Sequence, residues 1–147
     1  MSTVSKNKPS RRAFVVAGAF GAALLALAAM SAPAAAEAPS YTVSVSNATA
    51  KTGEQTTVVA TIAAADGYHC NKEYPHKAKK LAGEGVEFPG GDTVKGALSG
   101  DKVVISIPVK PTTAGAHQVT GEIRFSVCND SQCVIKKVAL AATVTGT

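Results

Sequence analysis

The chain has 147 residues, 46% of them hydrophobic but only 5% aromatic, with no tryptophan and a formal net charge of +5. That charge sits at the front: Lys6, Lys8, Arg11 and Arg12 fall in the first 36 residues, which hold no Asp or Glu. Without those residues eleven Lys and Arg face ten Asp and Glu, so the basic excess of a nucleic-acid or acidic-membrane footprint disappears.

The first segment reads as a signal for export. A positive head leads into the apolar run Val15 to Met30, and Ala32-Pro33-Ala34-Ala35-Ala36 offers small-residue cleavage sites, with cleavage expected after Ala36. The run is short against the ~20 apolar residues of a membrane span, so no stable membrane insertion is expected after cleavage. No cysteine follows closely that could carry a bacterial lipid anchor. Ser10-Arg11-Arg12-Ala13-Phe14 resembles the twin-arginine export signal, with an ordinary positive head as the alternative. Either route predicts a periplasmic or secreted bacterial protein, with a signal peptide at 1–36 and one domain at 37–147.

The domain begins with Tyr41-Thr42-Val43-Ser44-Val45-Ser46, whose strict alternation predicts a half-buried strand. A turn at Lys51-Thr52-Gly53-Glu54 leads to a second, β-branched strand over 56–63. Asp66-Gly67 marks the next turn, and 68–80 reads as polar and irregular. Val86 and Phe88 suggest a short strand inside the glycine-rich stretch 83–91. Val103 to Val109 alternates again, and His117 to Cys128 and Cys133 to Val144 close the chain. About seven short strands, no 3.6-residue period and few aromatics predict an all-β, immunoglobulin-like antiparallel sandwich with an aliphatic core.

Cys128 and Cys133 bracket Asn129-Asp130-Ser131-Gln132, a polar loop between alternating apolar runs and therefore a hairpin tip. Residues facing across such a pair lie about 4.5–5.5 Å apart at Cα, which suits a disulfide's range of about 4.4–6.8 Å, and export exposes them to oxidants. Alternation puts Ile123, Phe125 and Val127 on the core face, opposite Val134, Val138 and Leu140, with Lys136 a misfit. Cys128 shares the polar face with Arg124 and Ser126, and in the simplest register Cys133, Ile135 and Lys137 join it; a bulge would reverse this.

Closing about five residues stabilises by only about 2 kcal/mol in the chain-entropy model, whereas a Cys70–Cys128 bond closing about 58 residues would give about 4 kcal/mol. The short pair is thus a weak staple, and a weak, exposed bond is easier to reduce. Two readings stand: a small disulfide pinning the hairpin tip, or an exchange-active pair. Asp130 in the loop disfavours a thiolate, while Arg124 and Lys137 on the same face favour one.

Other constellations are thinner. His69, Cys70 and His76 carry metal-capable groups but match no standard zinc spacing; a surface loop with a free thiol is the plainer expectation, and such a thiol could pair between chains. Tyr68 and Tyr74 flank that loop, either capping the cysteines or packing at a strand end. Lys77, Lys79 and Lys80 read as a solvated basic cluster. His117 has no evident acid–base partner. There is no phosphate-cradling glycine loop, and no cofactor is expected.

Asp66-Gly67-Tyr68-His69 after an alternating strand, Val103 to Val109 before Ala114-Gly115, and Phe125-Ser126-Val127-Cys128-Asn129-Asp130-Ser131-Gln132-Cys133 together resemble the N-terminal periplasmic domain of the thiol:disulfide interchange protein DsbD and its stand-alone relatives. The similarity spans about Tyr41 to Leu140. It implies an immunoglobulin-like fold and a redox pair, here Cys128 and Cys133. Such a pair takes electrons from a membrane partner and passes them to periplasmic thioredoxin-like or disulfide-carrier proteins. The chain departs from the pattern in having four residues between the cysteines rather than five, and Val134 where a proline commonly follows. The family's cap loop corresponds to the region near Pro89-Gly90-Gly91-Asp92, with Phe88 as its nearby aromatic. The alternative carried forward is a non-enzymatic protein-binding or structural module holding the same bond.

Overall fold

The computed structural model describes residues 38–147; the expected signal peptide, its twin-arginine motif and its cleavage position lie outside the described residues. In chain order the strands are β1 (Tyr41–Val45), β2 (Ala48–Ala50), β3 (Thr56–Ala64), β4 (His69–Cys70), β5 (Lys77–Ala82), β6 (Val86–Glu87), β7 (Val94–Lys95), β8 (Ala97–Ser99), β9 (Lys102–Pro111), β10 (Gly115–Cys128) and β11 (Cys133–Gly146). One sheet has the order β1-β3-β9-β6, with β8 also on β9; the other has the order β2-β11-β10-β5-β7, with β4 also on β10. The two layers make an all-β, immunoglobulin-like sandwich, as the alternating runs predict.

Period-2 patterning builds the core. Val58, Ala60 and Ile62 of β3 and Val103, Ile105, Ile107 and Val109 of β9 point inward from one sheet. Val119, Ile123, Phe125 and Val127 of β10 and Leu140, Ala142 and Val144 of β11 meet them from the other. Each buried Val, Ile, Leu or Phe among them contributes about 1.5–3 kcal/mol, so aliphatic residues suffice where aromatics are scarce. Phe125 is fully buried and meets Tyr41 edge to face, with centroids 4.7 Å apart at 74°.

Three departures from the sequence reading have physical causes. The stretch 68–80, expected to be irregular, contains β4 and the start of β5. Alternation fails there because β5 carries a bulge: Ala82 pairs with Thr120 but Lys79 with Glu122, three steps against two. Lys80 takes the strain with a φ of 55°, and Leu81 is thereby returned to the core. Strand β2 runs parallel to β11 rather than antiparallel. The chain crosses between sheets just before it, where the Asn47 side-chain oxygen accepts the Thr143 N–H at 2.8 Å. Eleven strand segments replace the expected seven because β2, β4, β7 and β8 are pieces of only two or three residues, too short to leave an alternating pattern, and β7 and β8 flank a glycine. At Gly96, between them, a Cβ would come within 2.9 Å of both Ile105 and Val103 side chains, so only glycine lets the backbone pass so near the core.

Candidate functional site

The long β10–β11 ribbon positions the cysteines. Its register runs unbroken from Gly115↔Gly146 to Cys128↔Cys133, with Ile123 opposite Val138, Phe125 opposite Lys136 and Val127 opposite Val134. No bulge intervenes, so the faces are those that alternation predicts. The tip is closed by Asn129, whose backbone N–H donates to Gln132 O at 2.9 Å. Its side-chain oxygen accepts the N–H groups of Ser131 and Gln132 at 3.0 and 2.9 Å. This is the local turn bonding that favours Asn at such positions. Because residues 129 and 132 are joined by that backbone bond, the next pair out is of the narrow, non-hydrogen-bonded kind. Cys128 and Cys133 are disulfide-bonded there with Cα atoms 3.9 Å apart, closer than the sequence reading expects.

The two sulfur-bearing residues have different surroundings. Cys133 is exposed, whereas Cys128 is only 4% exposed. The expectation of an exposed pair is therefore corrected to an exposed–covered one. Cys128 remains outside the packed core cluster. Its cover comes from β4, where His69 pairs with Cys128, and from the following loop, where the Asn71 N–H donates to Ser126 O at 3.0 Å. An open cleft of about 480 Å³ borders the disulfide, lined also by His69, Asn71, Lys72, Glu73 and Asp101. The glycine-rich region near Pro89–Asp92, the expected cap counterpart, is not among these residues; the Asn71–Glu73 loop and Asp101 take that place.

Charges near the pair also differ from expectation. Arg124 and Lys137 share the outer face with the cysteines, but they turn to Glu122: the Arg124 Nε–H donates to Glu122 Oε1 at 2.7 Å, and Lys137 Nζ lies 3.7 Å from Glu122 Oε2. Lys79 Nζ is 3.7 Å from the same carboxylate. The Arg124 hydrogen bond foremost, with the charges of Lys137, Arg124 and Lys79 adding to it, holds the Glu122 carboxyl below its usual pKa. The groups bordering the disulfide cleft are instead His69, Lys72, Glu73 and Asp101. Their approach depends on folding of remote segments and carries no local sequence signal.

Cys70 is not a surface thiol. It is 3% exposed, belongs to the core cluster and donates its S–H to Asp101 O at 3.4 Å. Burial, above all, pushes its pKa up. Its strand neighbour His69 is exposed on the opposite face. His76 is buried, with its Nε2 bonded to Asn71 O at 2.7 Å. The described residues contain no group of three or more His, Cys, Asp or Glu side chains able to hold a metal ion. Tyr68 lines a cleft with Tyr41, Val134 and Lys136 on the inner side of the hairpin tip, and Tyr74 packs edge to face on His76 at 5.4 Å. Neither lines the disulfide cleft. His117 Nε2 bonds Thr113 O at 2.9 Å. Lys77 and Lys79, expected in a solvated loop, lie on β5.

No family model and no curated protein matches the chain. Among solved structures it is similar to AggA, the major subunit of aggregative adherence fimbriae type I from Escherichia coli, at 12% identity over 73% of this chain and 94% of that one, with a TM-score of 0.40. It is similar also to PapD-like domain 7 of human CEP192, at 10% identity over 74% and 85% of the two chains, with a TM-score of 0.40. A third likeness is the seventh ScaB type I cohesin of Pseudobacteroides cellulosolvens, at 12% identity over 73% and 92%, with a TM-score of 0.36.

Proposed function

We propose that the chain is an exported thiol–disulfide exchange module that passes electrons through Cys128 and Cys133 to or from periplasmic thioredoxin-like or disulfide-carrier proteins. The observation that carries this reading is the disulfide at the hairpin tip with one covered and one open residue. The bond adds little as a staple, since the ribbon is already paired and the turn already closed by Asn129. The resemblance to the DsbD N-terminal domain supports the same reading.

Exposure decides the direction of attack. A partner's thiolate reaches the Cys133 sulfur; the S–S bond breaks and its electron pair leaves on the Cys128 sulfur, which takes up a proton. A second partner thiol then attacks the partner's own sulfur in the mixed disulfide, releasing Cys133 as a thiol. Two electrons and two protons have moved, the partner leaves oxidised, and the reverse sequence delivers them onward.

The test uses a reduced thioredoxin-like donor. The Cys128→Ser/Cys133→Ser variant should accept no electrons, and Cys128→Ser with Cys133 first converted to its thionitrobenzoate mixed disulfide should trap a donor that keeps only its attacking cysteine, the donor thiolate displacing thionitrobenzoate; unchanged exchange in the double variant would sink the reading. The competing reading, a binding or structural module with a purely structural bond, draws on the cover over Cys128. It predicts a reduction potential below about −300 mV, whereas exchange predicts a mid-range value.

A further inference from the structure

The outer face of the second sheet carries a transverse row of like charge. Lys95 of β7 is paired with Lys77 of β5, Lys77 with Arg124 of β10, and Arg124 with Lys137 of β11. At about 4.8 Å between strands the row spans about 14 Å. Three successive cross-strand pairs of like sign oppose folding. The single carboxylate among them, Glu122, is engaged by Lys79, Arg124 and Lys137. Neither Lys77 nor Lys95 has an ion-pair partner among the described residues. The row is a local asymmetry in a domain whose formal charges otherwise nearly cancel.

Along β11 the same face leads to the disulfide. Cys133, Ile135 and Lys137 alternate outward, and Ile135 is 65% exposed. Four residues of strand place the row about 13 Å from Cys133. An open sulfur, an exposed aliphatic anchor and a cationic row thus lie in sequence on one surface. We infer that this surface docks a redox protein partner through an acidic patch set about 13 Å from its reactive cysteine, with an apolar contact on Ile135. The inference rests on the exchange reading and names the chemistry of its partner. A glycan lying along the row would leave both Ile135 and the sulfur unused, which favours protein.

The experiment uses three reduced peptides, each with one cysteine and, from the fourth residue beyond it, an acidic, neutral or basic run. Reduction of the oxidised protein by the acidic peptide should be about 10-fold or more faster than by the neutral one at about 10 mM ionic strength, and the advantage should vanish near 0.5 M. In the Lys77→Glu/Lys95→Glu variant the acidic-to-neutral ratio should fall to about one or below. Equal rates for all three peptides would overturn the docking surface and leave the exchange reading standing. If neither the peptides nor dithiothreitol reduce the pair, the exchange reading fails. Docking is then decided by anisotropy with a cysteine-free acidic peptide on the oxidised protein: binding lost in the double variant sustains it, and no binding overturns it. Binding of a sulfated polysaccharide but not of the acidic peptide would assign the row to a glycan and overturn it too.

Discussion

At the scale of single residues, burial separates three groups that the sequence presents alike. Cys70, Cys128 and Cys133 are all cysteines in a chain expected to be exported, yet Cys70 lies in the core, Cys128 is covered and Cys133 is open. Cys70 should therefore resist a thiol reagent such as DTNB in the native protein and react on addition of guanidinium; rapid native labelling at this residue would contradict its placement. Glu122 is the corresponding case for carboxylates. Its folded pKa is depressed, so its contribution is full above the ordinary carboxylate value and is lost as pH falls through the lower folded one. Glu122→Gln should remove that part of the acid-side slope in urea unfolding followed across pH, and should lower stability at neutral pH by leaving Lys79, Arg124 and Lys137 without their shared anion.

At the scale of elements, legibility follows regularity. The β10–β11 ribbon could be read residue by residue because its alternation is unbroken, and its faces and facing cysteines are as expected. Strand β5 could not, because the bulge at Lys80 and Leu81 breaks the period on which such a reading depends. The cover over Cys128 was equally hidden, since β4 has two residues and reaches β10 from far along the chain. The bulge itself makes a testable fit. Opposite it, Gly121 leaves room that Leu81 fills: a Cβ there would sit 2.9 Å from Leu81 Cδ2 and 3.2 Å from Lys79 O. Gly121→Val should cost about 1–3 kcal/mol in chemical denaturation, as overpacking does; a neutral result would mean that the bulge shifts freely. Phe125→Ala, in the regular part of the same strand, should cost more, about 3–5 kcal/mol, by leaving a cavity beside Tyr41.

At the scale of the whole molecule, the second sheet leaves an edge exposed beside the disulfide-bonded hairpin tip. Strand β2 covers β11 only at Val144–Gly146, so among the described residues no strand pairs with the outer edge of β11 from Cys133 to Thr143. Open edges invite pairing with a second chain, and inward-pointing charge is one device that prevents it. Lys136 is such a charge. It faces Phe125 across the ribbon and shares a cleft with Tyr41, Tyr68 and Val134 at the end of the sandwich. It is half-buried there, and a lysine so placed can lay its aliphatic stem on apolar surface while its ammonium reaches water. The misfit in the sequence pattern thereby becomes intelligible: an apolar residue at 136 would complete the core face and leave the edge flat and adhesive. Lys136→Val should hold or raise the unfolding midpoint while shifting the protein towards dimers and larger species in light scattering at rising concentration. A variant whose size distribution matches that of the parent protein under the same conditions would show that the edge is protected by something other than this lysine.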